Sequence, residues 1–230
     1  MKRLLTLFTS LILFFYANGQ DRIVSAISSG DDLNEVFASS RYLFPEFQDA
    51  RIIMTTGSYL AKMNYNALSG EMEFIKEDSG ELMMLGNKSD VRAIIIGNRH
   101  FKYAPRGYVE VLANGSGDVE LVVNRIFVQG DRKKYGAFGT TSSTTSISSF
   151  SQISTDNGVQ SLSVKEEVTY VKKNFFYLFT SGKYILASKS TFKKVFGKQK
   201  PDIDVYLKNN PVNFSKELDV VRLFTYCSDF

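Results

Sequence analysis

Between residues 51 and 187, apolar and polar positions alternate in short runs, and Gly, Asn or Ser closes most of them. Arg51 to Thr56 is β-branched and ends at Gly57. Ser58 to Asn66 alternates, Ala67 to Gly70 turns it, and Glu71 to Ile75 returns. Val91 to Ile96 stops at Gly97-Asn98, and Arg99 to Tyr103 follows. Tyr108 to Ala113 meets Asn114-Gly115-Ser116-Gly117, and Asp118 to Val128 answers it. Ser161 to Tyr170, Val171 to Thr180 and Lys183 to Ala187 continue the series, with Ser181-Gly182 as a tight turn. Short strands punctuated in this way predict antiparallel β structure, most simply a meander.

The period then changes. Ser188 or Ser190 caps a predicted helix reaching Phe196, and Pro201 opens a second one towards Lys208. Ser215 caps a third, in which Leu218, Val221, Leu223, Phe224 and Cys227 fall largely at helical spacing, with Phe214 placed as a hydrophobic staple. The expectation is an α+β fold: a curved antiparallel β-sheet or barrel-like meander, followed by two or three short C-terminal helices.

The most regular stretch, AKMNYNALSGEMEFI at 61–75, allows a register to be written down. With Ala67 to Gly70 as the loop, Asn66 faces Glu71, Tyr65 faces Met72, Asn64 faces Glu73, Met63 faces Phe74 and Lys62 faces Ile75. Side chains alternate with period two, so Met63, Tyr65, Met72 and Phe74 share one side and are expected to be buried together. Asn64, Asn66, Glu71 and Glu73 share the other, expected to be wet. Glu71 and Glu73 are then about 6–7 Å apart along one strand, not far from the spacing of glycosidase carboxylates. A general acid needs burial or a close like charge to hold its proton. A wet face supplies neither, so the pair stands only as rival carboxylates.

Residues 140–155, TTSSTTSISSFSQIST, hold twelve Ser or Thr in sixteen positions and are expected to lie in a long surface loop spanning 136–158. At the other end, Met1-Lys2-Arg3, an apolar run from Leu4 to Tyr16 and Ala17-Asn18-Gly19 have the order of a secretory signal peptide over residues 1–19. No later apolar run is long enough to cross a membrane as a helix. The domain plan is that leader, an N-terminal segment at 20–50, a β domain at 51–189 and a helical segment at 190–230.

Composition narrows the chemistry. The formal charge of +4 falls to +2 once Lys2 and Arg3 leave with the leader, so no global attraction to nucleic acid is implied. Cys227 is the only cysteine, expected as a small buried apolar group, so no internal disulfide is available. His100 is the only histidine and is expected on a solvent-facing hairpin, which leaves no metal-ligand set and no Ser-His-Asp arrangement. TSGK at 180–183 lacks the glycine-rich run of a phosphate loop. NGSGD at 114–118 reads as a turn, and DID at 202–204 as acids in a helix's first turn, rather than as calcium loops. No catalytic, metal or cofactor-binding residue is assigned.

The strongest charge feature is the stretch 165–200, with nine lysines, two glutamates and interleaved aromatics. Lys172, Lys173, Lys183, Lys189, Lys193 and Lys194 are candidates for contact with an anionic lipid or polymer surface. With no Arg among them, bidentate phosphate recognition is not favoured. RYLFPEF at 41–47, the hairpin at 61–75 and the ending at 190–227 resemble a family of small exported proteins of unknown function common in Bacteroidetes. That resemblance implies an envelope or secreted location and no particular reaction. The expected function is a non-enzymatic exported binding or accessory protein of the cell envelope, its partner another envelope protein or an anionic polymer. The alternatives are a carboxylate-based hydrolase of envelope glycan using Glu71 and Glu73, or a lysine-driven peripheral binder.

Overall fold

The computed structural model describes residues 23–27, 31–135, 141–149, 166–197 and 202–229. Its strands are β1 (Ile23–Ile27), β2 (Gln48–Met54), β3 (Gly57–Asn66), β4 (Glu71–Ile75), β5 (Leu82–Met84), β6 (Val91–Ile96), β7 (Arg99–Ala104), β8 (Gly107–Asn114), β9 (Glu120–Tyr135), β10 (Thr141–Ser149), β11 (Glu166–Thr180) and β12 (Lys183–Leu186). A one-turn helix α1 (Leu33–Val36) precedes β2, and α2 (Lys189–Phe196), α3 (Ile203–Asn209) and α4 (Glu217–Ser228) close the chain. All twelve strands belong to one antiparallel sheet. Its path runs β1-β11-β9-β8-β7-β6-β2-β3-β4-β5, with β10 added to β9 and β12 to β11. This is the expected α+β arrangement of strands first and helices last.

One sheet face supports two cores in succession. On β9, Leu121 and Val123 pack with Phe176 and Leu178 of β11 under Phe192, Phe196, Val220, Leu223 and Phe224 of the helices. Phe127, farther along the same face, packs instead with Phe37, Tyr65, Met72, Ile94 and Phe101. Arg125 lies between Val123 and Phe127. Its neighbour on β8 is Glu110, between Tyr108 of one core and Leu112 of the other. A polar seam therefore divides the two cores without leaving the sheet face.

The sheet curls until its far part meets its middle. β8 accompanies β9 only over Glu120–Val123, after which the two diverge. The turn at 67–70 fills the gap: the Tyr108 N–H donates to the Gly70 carbonyl at 3.1 Å and the Phe127 N–H to the Ala67 carbonyl at 3.0 Å. The Asn124 amide adds a bond to the Tyr108 carbonyl at 3.0 Å. This close approach requires glycine. A Cβ on Gly107, whose φ is +101°, would lie 2.6 Å from the Gly70 carbonyl oxygen.

Three local expectations are corrected. Residues 141–149 are not loop but strand β10, paired with the far end of β9. β-branched Thr suits a strand, and β9 outruns β8, leaving an edge to be paired. The segments expected as two strands, 161–170 and 171–180, are described as one strand from Glu166 to Thr180. Ser215 does not cap α4: the cap position is Lys216, without a side-chain bond, and Phe214 packs on Phe192. Ser188 does cap α2, accepting from the Thr191 N–H. The expected leader at 1–19, the remainder of the expected loop and Pro201 lie outside the described residues.

Candidate functional site

The hairpin register is as expected at all five pairs from Lys62↔Ile75 to Asn66↔Glu71. Met63, Tyr65 and Met72 are buried and Phe74 packs against them. The wet face is the correction: Asn64, Asn66 and Glu73 are only 0, 5 and 8% exposed. Residues 41–47 lie beside β3, with the Leu43 N–H donating to the Tyr65 carbonyl and the Ala67 N–H to the Arg41 carbonyl. Pro45 has no N–H, so a regular ladder cannot run through this strap. Asn64 stands in for it. Its Oδ1 accepts from the Phe44 N–H at 3.1 Å, and its Nδ2 donates to the carbonyls of Phe44 at 2.9 Å and Glu46 at 3.2 Å.

The carboxylates are similarly engaged. Glu73 accepts from the Tyr42 hydroxyl at 2.7 Å and from Asn66 Nδ2 at 2.8 Å. Burial, reinforced by Glu73, pushes the Tyr42 hydroxyl up to about 12. Glu71 accepts from Lys88 Nζ at 2.6 Å, while its Oε2 and the Tyr65 and Tyr108 hydroxyls are buried without a hydrogen bond. Burial raises both tyrosines above their ordinary range, with the Glu71 charge adding to it. Glu73 thus ties the strap to the hairpin, and Glu71 ties the hairpin to Lys88 ahead of β6.

In the polar seam, Glu110 is gripped by Arg99 through two 2.6 Å bonds and by Arg125 Nε at 2.9 Å, while Arg125 also reaches Glu217 of α4 at 2.8 Å. Burial pushes the Glu110 carboxyl up, but the Arg99 hydrogen bonds and the two guanidinium charges outweigh it and hold it below the usual range. Lys172 is the fifth member. Burial, then Arg125 and Arg99, push its ammonium down. It lies 5.6 Å from the Phe127 ring centroid and 3.5 Å from the Ser40 carbonyl oxygen. Lys172 is half-buried beside the Ser40 carbonyl, just ahead of the strap.

The other candidate lysines are scattered. Lys183 is exposed at the β11–β12 turn, where Ser181 and Gly182 both have positive φ. Lys189 and Lys193 of α2 both pair with Asp204, whose carboxyl they hold low, and Lys194 is exposed on the same helix. Lys173, next to Lys172 on a strand, points to the opposite sheet face. His100 is exposed and Cys227 fully buried, as expected, with burial pushing the thiol up to about 12. Asp202 caps α3 by accepting from the Val205 N–H. Among the described residues, no group of three or more His, Cys, Asp or Glu could hold a metal ion, and no helix is long and apolar enough to cross a membrane.

The open concavity lies on the sheet face opposite the helices. A cleft of about 430 Å³ is lined by Ala104, Pro105, Arg106, Val109, Asn124, Phe175, Tyr177, Tyr184 and Leu186. Strand alternation explains it: Val109 of β8, Val122 of β9, and Tyr177 and Phe179 of β11 all point away from the helices and form an apolar cluster with Tyr184. An antiparallel sheet face left to water is ordinarily polar at these positions. No described helix covers this one. Burial, then the Glu120 charge, raise the Tyr184 hydroxyl. In the sequence this face shows as Phe175, Tyr177 and Phe179 at every second position, interleaved with lysines.

Compared with known proteins, the chain matches no family model, no curated protein and no solved structure.

Proposed function

We propose that this is a non-enzymatic binding protein of the bacterial envelope, and that it binds through the aromatic cleft on the helix-free face of the sheet. The observation that carries the reading is the lining itself: three aromatic rings and Leu186 surround an open concavity, with Asn124 and Arg106 as the polar groups. Such mostly apolar concavities with few polar groups are the usual form of a ligand site. The leader-like pattern at 1–19 and the resemblance to exported Bacteroidetes proteins support the location. The hydrolase reading is weakened by the carboxylates, since both Glu73 oxygens are already bonded and the strap lies over them. The lysine-driven reading is weakened by the burial of Lys172 and by Asp204 beside Lys189 and Lys193.

Thermal shift against a panel of envelope glycan fragments, lipids and fatty acids tests the proposal. A ligand present at a hundredfold its Kd stabilises the native state by about 2.7 kcal/mol. At least one compound should raise Tm in the wild type and fail to do so in Tyr177→Ala/Tyr184→Ala. Turnover of a glycan that disappears in Glu73→Gln would overturn the reading, as would ligand binding indifferent to the cleft variants.

A further inference from the structure

The ligand class follows from how charge is distributed around the cleft, and the inference rests on the cleft being the binding site. Along β11, Lys173, Phe175, Tyr177 and Phe179 point to the same face. At the Phe179 end, Lys102 is near the ring and already paired with Glu120. At the other end the cations are free: Arg106 is exposed on the β7–β8 turn, and neither it nor Lys173 has an ion-pair partner among the described residues. Both border the 67–70 turn, Arg106 as part of the cleft lining and Lys173 just beyond it. Lys173 is paired across strands with Ile126, and a Cβ on Gly70 would touch both the Ile126 side chain at 3.9 Å and the Arg106 carbonyl oxygen at 3.8 Å.

The hydrogen-bonding capacity of the walls is low. Asn124 uses its Nδ2 on the Tyr108 carbonyl, so beyond its Oδ1, the Tyr177 and Tyr184 hydroxyls and Arg106 the lining is apolar, and each sugar hydroxyl buried out of their reach would stay unpaired at a cost of about 1–3 kcal/mol. An apolar body carries no such cost. We propose that the cleft takes a single-chain amphiphile, its apolar body along Tyr177, Tyr184 and Leu186 and its anionic head, a carboxylate or phosphate, between Arg106 and Lys173. Arg106 supplies the planar donor pair that such heads favour, and Lys173 adds a point charge.

The experiment is calorimetric titration of the full chain with dodecanoate and with dodecanol, both below their aggregation limits, together with sedimentation with phosphatidylglycerol vesicles. Dodecanoate should bind at least tenfold more tightly than dodecanol. Arg106→Gln/Lys173→Gln should remove that preference and leave dodecanol binding unchanged, while Tyr177→Ala should weaken both. Both cationic positions are polar and outside the two cores, and an unchanged Tm verifies folding of the variants. Equal affinity for the two probes, with Tyr177 dependence intact, overturns the anionic head and spares the binding cleft. Loss of Tyr177 dependence overturns both. Sedimentation with vesicles without binding of monomeric dodecanoate overturns the amphiphile site in favour of surface adhesion.

Discussion

Asn64 shows how a polar residue comes to be buried deep in this protein. Its amide replaces the backbone ladder that Pro45 interrupts, so Asn64→Ala strands the Phe44 N–H and two carbonyls at once. The expected loss is about 2 kcal/mol or more, read from urea unfolding midpoints. Glu110 acts through charge. Removing the carboxylate shared by Arg99 and Arg125 leaves half-buried Arg99 without its carboxylate and Arg125 with Glu217 alone, and Glu110→Gln should cost about 3 kcal/mol at pH 7. The pH dependence has a definite sign. The folded Glu110 carboxyl is held below its ordinary value, so its contribution is complete above about pH 4.3 and lost as pH falls through the folded value. Glu110→Gln should therefore be less stable at neutral pH, with a shallower decline towards pH 3 than the wild type. Lys172 has the opposite economy. Its proton is held less firmly in the folded state than in the unfolded chain, so the wild type gains stability as pH rises through the depressed value towards about 10.4. Lys172→Met should raise the urea midpoint at pH 7 and remove that alkaline gain.

Elements differ in how openly the chain announces them. The β3–β4 hairpin was legible to the residue pair because one side is uniformly Met, Tyr and Phe, and a one-residue slip would turn all of them outward. Alternation tells which side chains share a face, but not what lies over that face. The strap over Asn64 and Glu73 is distant in sequence and has no period of its own, so alternation alone gives no sign that the polar side is covered. β10 was illegible for another reason: its Ser and Thr residues look like a loop until β9 offers an unpaired edge. β5, three residues long, left no periodic signal either. The helices were recognisable from apolar spacing, and Ser188 caps α2 as expected, but Asp202 caps α3 and the cap position of α4 is Lys216, one residue after Ser215. The turn at 67–70 depends on Gly107, where positive φ and a carbonyl oxygen at contact distance coincide. Gly107→Ala should cost more than the roughly 1 kcal/mol typical of a change that only alters unfolded-chain entropy, as measured by chemical denaturation. Gly197→Ala, with open space around its Cβ, is the matched control.

Across the whole molecule, a single sheet has divided its labour. One face holds two cores joined by the Arg125 seam; the other holds the cleft, and the carboxylates that first suggested chemistry sit in neither opening. The curled half is not held shut by a strand pair. Over the apolar core that Phe127 shares with Tyr65 and Met72, its backbone is closed by Tyr108 and Phe127 donating to Gly70 and Ala67, a clasp of two bonds between segments remote in the chain. Joining remote segments costs loop-closure entropy before any contact returns it, so the clasp belongs to the last stage of folding and the first of local opening. Native-state hydrogen exchange should show the Tyr108 and Phe127 amides exchanging sooner than those of Val122 and Val123 in the paired part of β9. The two halves of the sheet would then share one hydrogen-bonded sheet yet breathe separately, as a cuff does when its button is undone while the seam stays sewn.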